Sequence, residues 1–487
     1  MSDLLGLSTL GRIPEASRPR ITPGDASAGI VHLGLGAFFR AHQAVYTEDA
    51  MAAAGGDWGI IGVAPRSAKV IDALSAQDAL YSVTTLAAEG RSARVIGALA
   101  GLRHAAADPA AVVALIADPA IKVVTLTVTE KAYRLDPATG RLLLDDDLRG
   151  DLETDREPRT VPGLLIRGLA ARRRADGGPI ALVSCDNLPS NGHRLRGLVE
   201  YLATATGHFD WVRDNVTFPG TMVDRIVPAT TAETLAIAAA ELGVRDEAGV
   251  HGEPYMQWVI EDDFPAGRPA WDLAGAVFTG DPRPWELLKL RTLNGVHSAI
   301  AYLGAVAGQE TISAALAMPG MAIAMRRFIA EDIAPSFDPP PGTTTIEYGE
   351  EVLHRFANPA IGHRTVQVAM DGSQKLPQRL LHTIRDRRRA GGTPRWGALA
   401  VAAWMRFVRG ATDDGRPLPL DDPLAERIRR RLAAADPTPA GTVDALLGLD
   451  TIFGPELAGD ETMRQLLVDW LTDLDKHGVE ATLAGIR

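Results

Sequence analysis

The feature that most constrains the fold is a change of rhythm near residue 283. Before it, short apolar runs alternate with longer stretches of helical periodicity. The runs are GIVHL at 29–33, WGIIGV at 58–63, IKVVTLTV at 121–128 and PIALVSC at 179–185, each bounded by turn residues. An amphipathic helix is expected through about Ala54, with others over 67–76 and near 108–117, 161–175 and 192–206. Such alternation predicts a parallel sheet covered on both faces, because parallel strands need a crossover and a helix supplies it. After residue 283 helical spacing dominates: 283–308, 319–334, 345–357, 364–388, 394–410, 420–435 and 460–484, with breaks such as SFDPPPGTT at 336–344. A chain of 487 residues exceeds what one core supports, so two domains follow, 1–283 and 284–487. The charged, proline-bearing stretch 134–160 reads as an excursion over the surface.

Composition removes several functions. A net charge of −11 with no dominant basic block argues against nucleic acid or an anionic membrane as partner. No apolar run reaches the length of a membrane span, and the first twenty residues lack the basic start and apolar stretch of a signal peptide. The single cysteine, Cys185, excludes an intrachain disulfide and a cysteine-rich zinc site. The expectation is a cytoplasmic protein, a monomer or small homo-oligomer, acting on a small molecule without a metal.

The motifs sharpen this. GLGAFFR (34–40) follows a strand and opens a helix, the context of a dinucleotide turn; an ordinary strand–turn–helix remains open, since Phe39 stands where the third glycine belongs. Gly34 permits the turn, Gly36 admits a pyrophosphate, and Ala37, Phe38, Phe39 and Arg40 complete the candidate cofactor segment. The second strand runs into GVAPRSAK (62–69) with no acid to grip a ribose. Arg66, Ser67 and Lys69 there would tolerate a 2′-phosphate, so NAD is expected and NADP is the alternative. TVTEKAY sets Glu130, and SCDNLPSNG sets Asp186 and Asn187, beyond the ends of apolar strands, where open parallel sheets bind ligands. Turn and cap roles are equally open for Asp186, Ser190 and Asn191. FPGTMVDRIVP holds Asp224 and Arg225 in an apolar stretch, for which a structural ion pair is the simpler reading. DGSQKLPQRLL holds Lys375 beside Pro377, whose bland reading is a kinked surface helix.

KLRTLNGVHS (289–298) is the densest motif. It places Lys289, Asn294 and His297 at positions 0, +5 and +8 of one helix, at roughly 0°, 140° and 80° about its axis. A deprotonatable lysine, a polarising amide and an orienting imidazole suffice to oxidise an alcohol without a metal. Only six of the 50 basic residues are lysine, which raises the interest of those inside motifs. The crowding of Lys289 by leucines predicts burial, which lowers a lysine pKa towards general-base use.

The set GLGAFFRAHQAVY, SCDNLPSNG, FPGTMVDRIVP, QWVIEDDF and KLRTLNGVHS resembles the polyol-specific long-chain dehydrogenases, a family that includes mannitol 2-dehydrogenase and fructuronate reductase (D-mannonate oxidoreductase). The resemblance spans about residues 29–410. It implies an α/β N-terminal Rossmann-type domain, a mainly α-helical C-terminal domain, NAD or NADP, and no zinc. By motif it implies Lys289 as general acid/base and His297 as positioning the substrate. Asn294 and Asn187 would donate hydrogen bonds to the substrate carbonyl oxygen, with Glu130 relaying protons and Asp224 and Lys375 lining the substrate pocket. Phe39 departs from the family's frequent histidine. The stretch HRTVQVAMDGSQKLPQRLL is closer to fructuronate reductase, and Arg364 near Lys375 would supply a counter-charge for a sugar acid. The expected reaction is therefore uronate/aldonate interconversion ahead of mannitol/fructose. The Tyr-x-x-x-Lys of a short-chain dehydrogenase does not occur at the right point. A binding-only NAD protein would have no need of Lys289, Asn294 and His297 together.

Overall fold

The computed structural model describes residues 3–134 and 142–486. Two compact units divide at Pro282 and Arg283. Among the described residues of the first unit the strands are β1 (Ala28–Leu33), β2 (Gly59–Ala64), β3 (Tyr81–Ala87), β4 (Gly90–Ile96), β5 (Leu99–His104) and β6 (Val123–Leu126). They continue as β7 (Ile180–Ser184), β8 (Val216–Thr217), β9 (Thr221–Asp224), β10 (Val250–Gly252), β11 (Gln257–Glu261) and β12 (Val277–Thr279).

Six strands form a parallel sheet in the order β5-β2-β1-β6-β7-β8. The chain starts in the middle, builds outward through β2 and β5, then returns to β6 on the other side of β1. Strand order thus reverses between β1 and β6, and the carboxyl ends there flank the crevice such sheets use for ligands. The apolar runs are continuous because both faces are covered. Ile30, Val123, Ala181 and Val183 join one core while Val31, Val124, Leu126 and Leu182 join the other. Each buried branched side chain contributes about 1.5–3 kcal/mol.

Two small sheets, β10-β3-β4 and β12-β11-β9, add strands that the sequence pattern does not announce. Their apolar alternation is broken by inward polar residues with tertiary partners. Ser82, for example, gives both its N–H and its hydroxyl to Asp246 at 2.6 Å. The helix expected through Ala54 is two, Ala37–Ala41 and Gln43–Ala54, separated at His42 (φ −130°, ψ −87°). Nor is the second amphipathic: eight of its twelve residues, from Gln43 to Met51, are buried, and Trp271 Nε1–H donates to Thr47 Oγ1 midway along it.

In the second unit the helix Gly295–Val306 is buried along its whole length, as a helix apolar on all sides must be. It packs against Arg395–Phe407, with Ile312–Leu316 and Thr365–Ala369 alongside. Helices Pro439–Leu447 and Asp450–Ala458 fill a stretch the periodicity leaves unassigned. The expected helix 364–388 is broken at Met370 and Asp371, where φ reaches +54°. No helix among the described residues is long and apolar enough to cross a membrane.

Candidate active site

The glycine turn is built as its residue types require. Gly34 has φ +108°, and a Cβ there would lie 2.1 Å from the Thr127 carbonyl oxygen, so no other residue fits. A Cβ on Gly36 would meet nothing closer than 3.8 Å, leaving room for a ligand to approach the backbone. His32 locks the turn from beneath. Its Nε2 lies 3.0 Å from the Gly34 carbonyl and its Nδ1 2.8 Å from Thr125 Oγ1, which assigns the neutral tautomer with the proton on Nε2. Burial pushes its pKa down to about 3. The sequence reading passed over His32; the signal was a histidine inside the apolar run GIVHL.

A cavity of about 980 Å³ opens beside this turn. Gly34, Leu35 and Gly36 line it with the ends of β2 and β6, including Ala64, Arg66, Ser67 and Thr127–Thr129. The volume and the backbone cradle suit a dinucleotide. Arg66 is exposed on its wall, its carbonyl accepting from His104 Nε2 at 2.9 Å. Four expected cofactor residues do not line it. Phe39 is buried, stacked on His32 at 3.5 Å between ring centroids, and Phe38 stacks on His42. Arg40 donates to the Ala248 carbonyl and covers Tyr81, tying the helix to the core. Ala37 simply opens the helix. The turn meets the cavity through Gly34, Leu35 and Gly36, while Phe39 and Arg40 on the helix behind it are buried in the core. The stretch expected as a surface excursion supplies the opposite wall, through Arg134, Asp147 and 156–161.

Beyond β6 and β7, Glu130 and Asn187 occupy exposed positions on two turns pinned together by Asp186. Asp186 accepts from Val128 N, Thr129 N and the Tyr133 hydroxyl, at 3.2, 2.8 and 2.7 Å. Burial still raises its pKa. Thr129 has φ +71°, a strained conformation for a β-branched residue, held by this carboxylate. Asn191 joins the same framework, donating to the Asp186 and Thr221 carbonyls. The turn-forming roles of Asp186 and Asn191 are thus the ones realised. Asp224 is buried at the end of β9, and Arg225 donates to the carbonyls of Ala41 and Glu253.

In the second unit KLRTLNGVHS is not a uniform α-helix. Lys289–Asn294 forms a π turn between Arg283–Leu288 and Gly295–Val306. An inserted π residue shifts everything after it back by one position, so Asn294 and His297 move to roughly 40° and −20° from Lys289. The face is narrower than α geometry allows. Arg291 anchors the turn, bonded to Ser336 at 2.9 Å and paired with Asp386 at 2.6 Å. Lys289, Asn294 and His297 keep only 7–8% exposure. His297 stacks on Phe356 and meets His363 edge-on, with ring centroids 4.5 and 5.0 Å away. Its buried Nε2 has no hydrogen-bond partner among the described residues. Burial, followed by His363, Arg379, Arg355 and Lys375, holds its pKa well below the usual histidine range.

Lys375 is half-buried, its Nζ 3.3 Å from the Val368 carbonyl, and burial then Arg379 push its pKa down to about 8. Pro377 does not sit on a surface helix. It opens another π turn, Pro377–Leu381, with Leu376, Leu380 and Leu381 buried. A proline lacks the N–H and crowds the carbonyl four residues back, which favours the wider turn. Arg364 is not among the cations around His297. It is an exposed helix cap whose backbone bridges Thr311. Arg379 and Arg355 are the arginines within electrostatic reach of His297, and Arg379 is the one that acts on Lys375.

Two family models cover most of the chain: the mannitol dehydrogenase Rossmann domain over residues 28–273 and the mannitol dehydrogenase C-terminal domain over 281–473. D-mannonate oxidoreductase of Escherichia coli (strain K12) is 41% identical over 451 residues, 91% of this chain and 92% of its own. Mannitol 2-dehydrogenase of Cereibacter sphaeroides is 38% identical over 478 residues, 96% and 97% of the two chains. The solved ternary complex of Pseudomonas fluorescens mannitol 2-dehydrogenase with NAD and D-mannitol superposes with a TM-score of 0.86 at 33% identity, covering 98% of each chain. The chain belongs to the mannitol dehydrogenase family of oxidoreductases.

Proposed function

We propose that the protein interconverts a secondary alcohol and a ketone on a linear sugar acid, D-mannonate and D-fructuronate being the best pair, with NAD as cofactor. The observation that carries this is the π-built face of Lys289, Asn294 and His297, with its unpartnered imidazole nitrogen. Gly34, Gly36 and Arg66 would hold NAD in the cavity, and NAD supplies hydride acceptance and return at its nicotinamide ring. Neutral Lys289 takes the hydroxyl proton during oxidation and returns it during reduction. Asn294, with Asn187, donates hydrogen bonds to the oxygen as negative charge develops. His297 accepts a substrate hydroxyl at Nε2 once its own proton is on Nδ1, and Glu130 exchanges protons with water. Asp224 and Lys375 contact the remainder of the sugar. The cations around His297 favour an acid over a polyol. Mannitol and fructose form the second reading, favoured by the likeness to mannitol 2-dehydrogenases.

The Lys289→Ala variant is expected to lose about 100- to 10,000-fold in kcat, with NADH binding unchanged by fluorescence titration. A near-normal kcat in that variant overturns the assignment. Initial rates with NADH and NADPH test the cofactor, and a preference for NADPH would reject NAD. A panel of D-fructuronate, D-tagaturonate and D-fructose tests the substrate, and turnover of fructose alone would reject the sugar acid.

A further inference from the structure

Arg379 carries a charge for which the described residues provide no ion-pair partner. It lies in the π turn Pro377–Leu381, against the start of the helix that bears His297: a Cβ on Gly295 would meet the Arg379 carbonyl oxygen at 2.8 Å. Its side chain makes one hydrogen bond among the described residues, from Nη1 to Ser298 Oγ at 3.2 Å. A guanidinium has five N–H donors, so most remain unused. Burial disfavours its charged form, and the group that acts on it is the Tyr302 hydroxyl, itself without a hydrogen-bond partner among the described residues. The nearby acids serve other groups. Asp422 accepts from Ser373 N and Oγ and from Leu424 N, and it acts with Asp371 on Lys375. Lys375 therefore has partial compensation, whereas among the described residues no acid acts on Arg379.

A half-buried cation without an anion is penalised, and the penalty is relieved when a ligand brings the anion. The second unsatisfied group is adjacent. His297 Nε2 is buried and unpartnered, and His297 lies within electrostatic reach of Arg379. One group wants a carboxylate and the other a hydroxyl, and both belong to one small molecule if it is a hydroxy acid.

We infer that Arg379 is the residue that selects sugar acids, its guanidinium fork receiving the substrate carboxylate by paired N–H···O contacts while His297 holds a hydroxyl of the same molecule. The inference rests on the sugar-acid reading above and names the group that enforces it. A neutral polyol leaves the guanidinium uncompensated, so Arg379 discriminates against mannitol as well as for mannonate.

Calorimetric titration of D-mannonate and D-mannitol into the NADH-loaded protein tests this without turnover. In Arg379→Met, mannonate affinity is expected to fall on the order of 100-fold, the loss of a charge-assisted contact, with mannitol affinity unchanged or higher. Arg379→Lys keeps the charge without the fork and should lie between, and it serves also if the methionine variant does not fold. Equal mannonate affinity in wild type and variants overturns the inference, as does an equal loss for mannonate and mannitol, or no mannonate binding by wild type. If wild type turns over fructose alone yet binds mannonate through Arg379, the substrate reading fails and the anion site stands.

Discussion

Gly34 and Gly36 lie two residues apart and do different work. The first satisfies the fold, since its positive φ and the Thr127 carbonyl leave no space for a side chain. Gly34→Ala should cost about 3 kcal/mol or more from overpacking and left-handed strain, seen as a fall in Tm with and without NADH. Gly36→Ala meets open space, so it should leave Tm unchanged while weakening NADH binding in a fluorescence titration. A matching Tm loss in both variants would refute that division. Lys375 gives a pH dependence at the same scale. Burial and Arg379 lower its pKa to about 8 against the pull of Asp371 and Asp422, with His363 also close by. Its positive charge is therefore present below pH 8 and lost above it. The KM for a sugar acid should rise as pH passes about 8, and the KM for D-fructose should not; parallel profiles would remove Lys375 from acid binding.

Among elements, the turns after β6 and β7 depend on one carboxylate. Asp186→Ala removes the acceptor of two backbone N–H groups and of the Tyr133 hydroxyl, each loss costing about 1–3 kcal/mol if left buried and unsatisfied. Thr129 then has no reason to keep φ +71°, and Glu130 moves with it. The expected result is a lower Tm and reduced kcat with NADH affinity largely retained. Loss of NADH binding alone would mean the clamp serves the cofactor instead. The π turns are the other decisive elements. The motif KLRTLNGVHS can be read as a helix, but nothing in its letters marks the inserted residue that aligns Asn294 with Lys289. Arg291 holds that turn through Ser336 and Asp386, partners 45 and 95 residues away.

At the scale of the whole molecule, the first unit has its own buried cores, so residues 1–282 should fold alone and bind NADH without turnover. Saturation at 100 times Kd should then stabilise the fragment by about 2.7 kcal/mol; a fragment that melts without cooperativity would contradict it. Both units also share an acid weakness. His32 and His297 are buried neutral with lowered pKa values, so below about pH 6.5 the unfolded chain binds protons that the native state refuses. Stability should therefore fall as pH drops from 6.5 towards the folded pKa values. His32→Gln should reduce the acid slope measured by urea unfolding at pH 5 and 7.

By itself the sequence determined what depends on local pattern. Apolar runs covered on both faces announced the parallel sheet, glycine announced the turn after β1, and helical spacing announced the second unit. The family was legible in KLRTLNGVHS and its companion motifs. Tertiary structure decided whatever depends on a distant partner. Ser82 and its strand are held by Asp246, Phe39 and Arg40 are drawn into the core, and the π turn is set by Arg291. Arg364 and Arg379 are equally basic in the sequence. Only packing left one on the surface and half-buried the other within reach of His297, because burial belongs to the assembled helices and not to the residue.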